Sequence, residues 1–550
     1  MGVVVNNMSV CVLAAVTIVG AAPLIGKAGA PMVQAQGAAS ALDRDLIEVT
    51  IPKLEAMYAS KRYTVTEVTR WYLERIARYD GVYKAVWHVD RDGALRTAAA
   101  EDAAAARQPK VFSRGPLWGV PIVIKANTSI KGLVTSNGWK GYIVPGHELL
   151  APADATVVAK LRGAGAVIVG QTNMPDFAAS DTTNSTAGGR TGNAYNWRFS
   201  PGGSSGGTVT SVAGNFAVFG TGTDTSNSIR MPSGTSNVVG VLPTRGLLSI
   251  AGIHPLDWLL DDTGPITRTV TDAAIALSVM AGEDAKDFRT RGSAAKAEPG
   301  PYTNYLKRDG LKGKRFGVPA FVVEQAVAGT ETRVLTLTPD ARAMFMKAID
   351  ELRAAGATVV VDGTVLPEGF LQLVHAINTR PYRREGTDAF LRDFGPTQYH
   401  SAADYEKAVG SPLPSMVTGG TAAAAQRVIE VDPDAETTFW GPQRKALAEY
   451  EATLDRWHLD GFVYPSAQMA PNDETAPGPP SSGPHSETGW VNPIGVPAVV
   501  VPGGFYADGL PFGLEFSGRP WKDGDVLGWA FGYEQATTHR KPPVLVDKPQ

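Results

Sequence analysis

Two hydrophobic rhythms alternate along the chain. From Tyr63 to Tyr79 apolar and aromatic residues return at helical spacing, with Val68, Trp71, Tyr72, Ile76 and Tyr79 on one face. Thr64 stands three residues before Glu67, a pairing that caps a helix start from both sides, so a helix is predicted there. The alanine-rich stretch from Asp92 to Arg107 predicts a second. Between such segments lie short β-branched runs at 120–125 and 167–169, within LKGKRFGVP (311–319) and within NPIGVPAVVVPGG (492–504). Runs without polar alternation are strands buried on both faces. Helices alternating with them predict an α/β architecture around a buried sheet. The segments LRGAGAVIVG (161–170) and LRAAGATVVV (352–361) share one helix–glycine–strand cadence, too briefly to establish a duplication.

Polar, Gly- and Pro-containing residues 283–310 read as a surface connection, and 466–490 as the clearest loop. Long loops of that kind often act as lids or binding segments. At the N-terminus, Met8 to Gly26 is almost wholly apolar, interrupted by Pro23 and followed by a cleavage-like Val33-Gln34-Ala35. It is short for a membrane span, and the first basic residue, Lys27, lies behind it rather than ahead. Residues 1–35 are therefore expected to be an export signal, giving a periplasmic or secreted protein. Residues 36–41 are expected to be a flexible segment, 42–538 a single domain and 539–550 a C-terminal tail.

Composition narrows the chemistry. The chain has 43% hydrophobic and 19% charged residues and a net charge of -3, with no basic block to suit a nucleic acid. Its one cysteine, Cys11, falls inside the leader, so a mature chain would have no disulfides, thiol catalysis or cysteine-ligated metal. HExxH, P-loop and dinucleotide patterns are missing, and neither cofactor nor metal is expected.

Two serines stand 24 residues apart in Gly-rich text, Ser204 in SPGGSSGG (200–207) and Ser228 in GTDTSNSIRMPS (222–233). Lys125 ends the apolar run GVPIVIK. A lysine at a strand end commonly snorkels or pairs with a carboxylate. A buried one can lose its proton and act as a base, which an ordinary lysine with a pKa of about 10.4 cannot do near neutrality. The glycines around Ser204 and Ser205 suit either a flexible turn or a strained functional loop. Backbone N–H groups ahead of Ser228 could form an anion-binding nest, with Asp224 and Arg230 bracing the loop by opposite charge.

These segments together resemble the amidase signature family. The resemblance runs through GVPIVIKAN, GQTNMPDFA (170–178), GNAYNWRFSPGGSSGG (192–207), GTDTSNSIRMPS, DTGPITRTVTDAA (262–274) and NPIGVPAVVVPGGFYADGLPFGLEFSG (492–518), covering about residues 45 to 537. It implies a single α/β domain, with a large twisted mixed sheet covered by helices on both faces. It also implies a Ser–Ser–Lys triad, with Ser228 as nucleophile, Ser204 as relay behind a cis Gly203–Ser204 bond, and Lys125 as base. Backbone N–H groups of Thr225, Ser226, Asn227 and Ser228 would form the oxyanion hole. The activity implied is hydrolysis of a small-molecule amide without a cofactor; a homodimer stays open.

The chain departs from the family pattern at two places. Ala126 follows the lysine where Asp is usual, with Asn127 as a substitute partner. Ser226 and Asn227 replace a glycine pair, so Ser226 is expected to narrow the loop or turn a hydroxyl toward the substrate. Asn at 227 suits left-handed backbone.

Rival readings remain. Gly202 to Gly206 also fits G-x-S-x-G, an elbow that would recruit a histidine such as His254 or His375 but needs a preceding strand that NAYNWRFSP does not supply. Esters and carbamates suit the same triad. A non-catalytic exported binding protein and a glutaminase component of a transamidation complex are further alternatives. Trp139, Trp197, Trp258 and Trp440 are candidates to line an apolar acyl or aryl pocket.

Overall fold

The β-branched runs assemble into an eleven-stranded mixed sheet in the computed structural model, which describes residues 40–108, 114–323, 337–367, 369–419, 427–478, 483–486 and 488–549. In chain order the strands are β1 (Val86–Val89), β2 (Pro121–Lys125), β3 (Val167–Thr172), a small separate hairpin of β4 (Asn184–Ser185) and β5 (Gly189–Arg190), β6 (Phe219–Asp224) and β7 (Val239–Leu242). There follow β8 (Asp262–Thr267), β9 (Arg315–Val318), β10 (Thr358–Val361), β11 (Gly461–Pro465), β12 (Ala498–Phe505) and β13 (Pro511–Ser517). The large sheet runs β1-β3-β2-β6-β8-β7-β12-β13-β11-β9-β10. Its pairing is parallel at β3–β2–β6 and again at β11–β9–β10. The strands between these groups are antiparallel. Strands β2, β3, β6, β7, β8, β11 and β13 are buried along their whole length. Apolar text announces this for β2 (PIVIK) and β7 (VGVL), whereas β6 (FGTGTD) and β8 (DTGPIT) are buried with threonines and aspartates among their residues.

Local rules explain the elements that flank the sheet. The helix Val65–Tyr83 starts at the expected capping box of Thr64 and Glu67 and buries Val68, Trp71, Tyr72 and Ile76. It runs four residues past the predicted end and stops where Lys84 turns left-handed. The shared cadence has a backbone cause. Helix Thr156–Gly163 turns into β3 through Gly165 (φ +94°), and helix Pro339–Ala354 turns into β10 through Gly356 (φ +93°). Only glycine adopts that conformation at little cost.

Residues 283–310 are more than a surface connection. They form short helical turns at Phe288–Thr290, Ser293–Lys296 and Tyr302–Tyr305, and Tyr302 is buried in the main core. The 466–490 segment carries no helix or strand among its described residues beyond an isolated Phe199–Asp473 bridge. The expected leader at 1–35 and the start of the flexible segment lie outside the described residues. No helix among the described residues is long and apolar enough to cross a membrane.

Candidate active site

Strands β2 and β6 run parallel side by side, and both end at the same edge of the sheet. Crevices outside the carboxyl ends of parallel strands are where open α/β sheets hold ligands. Lys125 is the last residue of β2, and Asp224 is the last of β6. Lys125 is buried completely, and its ammonium meets hydroxyls rather than carboxylates. Nζ lies 2.7 Å from Ser204 Oγ, 3.0 Å from Ser205 Oγ and 2.9 Å from Thr223 Oγ1. Burial pushes its pKa down to about 7, against a partial upward pull from Asp224 and Asp261. A lysine shifted this far down can give up its proton near neutrality, which an ordinary lysine cannot. Asn127 donates from Nδ2 to Thr223 Oγ1 at 3.1 Å, so it joins the lysine network through that hydroxyl. This is the indirect contact left by Ala126.

Ser204 follows a cis peptide bond from Gly203 and lies just ahead of helix Gly206–Ala213. Glycine is required at 203 because a Cβ there would sit 2.6 Å from Ser180 O and 2.7 Å from Thr182 O. The Ser205 N–H donates to Ser228 C=O at 3.2 Å, tying the two serine loops together. Ser228 opens onto a cavity of about 1080 Å³, as do Thr225, Ser226 and Asn227. The backbone N–H groups of residues 225 to 228 have no acceptor among the described residues, whereas that of Ile229 donates to Asp224 Oδ2. Neither Ser226 nor Asn227 has positive φ, so the loop needs no left-handed tolerance at 227. Ser226 is exposed on the cavity wall.

The Asp224–Arg230 brace forms and is larger than expected. Arg230, fully buried, lies 3.2 Å from Asp224 and 2.6 Å from Glu515 of β13, and it also donates to Ser226 C=O. Burial pulls the guanidinium pKa down, but the two carboxylates more than reverse this and hold it above the ordinary arginine value. Asn492 Nδ2 supports Asp224 C=O at 2.9 Å, and Thr225 Oγ1 donates to Asp261 Oδ1 at 2.5 Å.

Several of these partners escaped sequence reasoning. Ser205 and Thr223 sit within the motifs but carry no distinguishing spacing. Glu515 did leave a signal, being the one charged residue in the buried strand PFGLEFS, which a buried cation has to answer.

The tryptophan expectation fails. Trp139 packs with Tyr142 and Phe177, Trp197 under Arg190, and Trp258 against Phe288, while Trp440 lines a different cavity. Trp490 lines the Ser228 cavity instead, beside Leu256, Leu260, Val374 and Ile377. Sequence cannot separate a core tryptophan from a pocket one, because both are apolar text. The elbow reading fails as well. No strand precedes Ser204 directly, and His254 is engaged elsewhere, with Tyr142 OH at 2.7 Å and Asn137 Nδ2 at 3.0 Å. Burial lowers the His254 pKa to about 3, so it stays neutral. His375 lines the cavity. Among the described residues no cluster of His, Cys, Asp and Glu is arranged to hold a metal.

The site therefore brings together a buried lysine, two serine hydroxyls within 3.0 Å of its ammonium, and a serine-bearing loop opening onto a cavity at the carboxyl ends of β2 and β6. The Amidase family model matches residues 67–527, and the chain belongs to that family, hydrolases of carbon–nitrogen amide bonds. It is 30% identical over 503 residues to the A component of the glutamyl-tRNA(Gln) amidotransferase of Alkaliphilus metalliredigens, an alignment covering 89% of this chain and 96% of that one. The native peptide amidase of Stenotrophomonas maltophilia superposes with a TM-score of 0.74 at 29% identity, covering 90% of this chain and 99% of that chain. A bacterial aryl acylamidase shares the fold, with a TM-score of 0.70 at 24% identity over 89% of this chain and 96% of that chain.

Proposed function

We propose that this protein is a serine amidohydrolase that cleaves hydrophobic or aryl amides through an acyl-enzyme on Ser228. The observation that carries the reading is the 2.7 Å contact between Lys125 Nζ and Ser204 Oγ in a setting without a carboxylate contact on the amine. Ser228 Oγ attacks the amide carbonyl while its proton passes to Ser204 Oγ, and the Ser204 proton passes to neutral Lys125. The carbonyl oxygen becomes an oxyanion held by the backbone N–H groups of residues 225 to 228, which are otherwise unengaged among the described residues. When the C–N bond breaks, the proton returns from Lys125 through Ser204 to the departing nitrogen, sparing the expulsion of an amine anion. Water then releases the acid by the same route. No metal or cofactor takes part in this scheme.

Substrate preference follows from the cavity wall, where Leu256, Leu260, Val374, Ile377 and Trp490 offer an apolar surface to the acyl group. Arg383, also on the wall, is already paired with Asp257 at 2.9 Å, so it leaves little uncompensated charge for an anionic substrate. Relatives named for amidotransfer and for peptide amides support amide chemistry in general. Export through residues 1–35 is part of the proposal, and N-terminal sequencing of the mature protein tests it. The catalytic reading is tested by fluorophosphonate labelling with mass mapping of the modified peptide, followed by a panel of aryl and alkyl amides. An adduct on Ser228 with turnover is the expected result. An adduct on Ser204, or no adduct and no turnover, overturns it.

A further inference from the structure

A second cavity lies behind one wall of the Ser228 cavity. It measures about 390 Å³, within the usual size range of small-molecule sites, about 300–1,000 Å³. The two share segments: Leu260 and Pro493 face the Ser228 cavity, while Leu259 and Ile494 face this one. Its charged lining groups are all cationic. Three are arginines already compensated, Arg245 by Asp262, Arg289 by Asp287 and Arg444 by Glu436. The fourth, Lys296, is exposed and has no carboxylate partner among the described residues. Its ammonium lies 5.4 Å from the ring centroid of Trp521.

Trp521 owes its place to an unusual turn. It follows Pro520 and has a φ of +67°, and the Lys522 N–H closes back onto Arg519 C=O at 3.2 Å. Pro followed by a positive-φ residue is the pattern of a type II turn, whose third position belongs to glycine or asparagine. A bulky side chain there is a genuine outlier, held only where its surroundings enforce it. The turn is pinned by Thr244, whose Oγ1 accepts the Trp521 N–H at 2.8 Å and donates to Asp523 at 2.7 Å. The strained backbone holds an indole on the wall of a cavity whose uncompensated charge is one ammonium.

We propose that this cavity is a binding site for a small planar aromatic carboxylate, its ring held by the aromatic wall and its carboxylate on Lys296, whose ammonium the Trp521 ring holds in place. Phe288 and Trp440 supply further aromatic surface in the same cavity. The site is separate from the Ser228 cavity, and the proposal does not depend on how Ser228 acts.

The test is calorimetric titration of the full chain with 2-naphthoate at low salt. Saturable binding is expected, weakened about tenfold by Lys296→Glu and about tenfold by Trp521→Gly. Glycine suits the turn, and position 296 is exposed, so both variants should fold; circular dichroism checks that they do. The uncharged 2-naphthylmethanol should bind at least tenfold more weakly than the acid, and added salt should narrow that gap. No binding of 2-naphthoate overturns the proposal, as does binding unchanged in both variants, which would put the ligand elsewhere. Equal affinity for the alcohol would overturn the carboxylate assignment.

Discussion

Two buried cations sit at the carboxyl edge of β2 and β6, and the protein treats them in opposite ways. Arg230 has two carboxylates, Asp224 at 3.2 Å and Glu515 at 2.6 Å. Lys125 is equally buried but has only hydroxyl and carbonyl contacts. The same desolvation therefore ends in different states. The guanidinium stays charged and holds the loop carrying Ser228, whereas the ammonium is pushed down to about 7. Charge retained at one position builds structure. Charge shed at the other supplies the base that the proposed mechanism needs. The difference lies in where the carboxylates are placed rather than in depth of burial.

The largest effect should come from removing the groups on the lysine side. Ser228→Ala is expected to lower kcat by about 10⁴-fold or more, and Lys125→Ala by a similar factor, as happens when residues act as one unit. Ser204→Ala should lose less, because water can replace a relay but not a nucleophile. Steady-state kinetics on an aryl amide measures all three, and an unchanged rate in Lys125→Ala would remove its assigned role.

The arginine side should fail through stability. Arg230→Met strands two buried carboxylates and is expected to cost about 3–5 kcal/mol in urea unfolding. A loss below about 1 kcal/mol, the usual worth of an exposed pair, would mean that the brace contributes little.

Lys125→Met should show the reverse pattern with pH. Folding lowers the lysine pKa from 10.5 to about 7, so the unfolded chain binds the extra proton between those values. The wild-type protein consequently gains stability as pH rises through that window, and the variant lacks this gain. The melting temperature of the variant minus that of wild type should be greatest at pH 6 and shrink by pH 9. A difference that is flat with pH would contradict a depressed lysine.

The smallest expected change sharpens the contrast. Asn127→Asp places a carboxylate one hydroxyl away from Lys125 and should move the activity profile upward by about one pH unit. Asn127→Ala should leave the profile in place and reduce kcat only a few-fold. If both variants shift it alike, the indirect link through Thr223 is not electrostatic.

Lys125, Ser204 and Ser228 stood out as candidates by their apolar or Gly-rich setting, but that setting left bland readings open, and it was the resemblance that singled the three out together. The sheet was visible only in part: apolar runs such as PIVIK announced β2, β3, β9 and β12, whereas β6 (FGTGTD) and β8 (DTGPIT) carry no such run. What stayed hidden depends on topology. Glu515 and Asn492 reach the site across more than 260 residues, brought by β13 and by the turn ahead of β12. Tyr302 read as surface because its neighbours are polar, yet one ring is enough to anchor that segment in the core. The tryptophans misled for a related reason: apolar identity reports burial but not which cavity, if any, a ring faces.

The most direct test is the pH dependence of fluorophosphonate labelling at Ser228, followed by mass spectrometry of the 222–233 peptide. The account predicts a labelling rate that rises with an apparent pKa near 7 and stays level into alkaline buffer, with the rise abolished in Lys125→Met. A rate still climbing at pH 10, as an ordinary lysine would give, would contradict it.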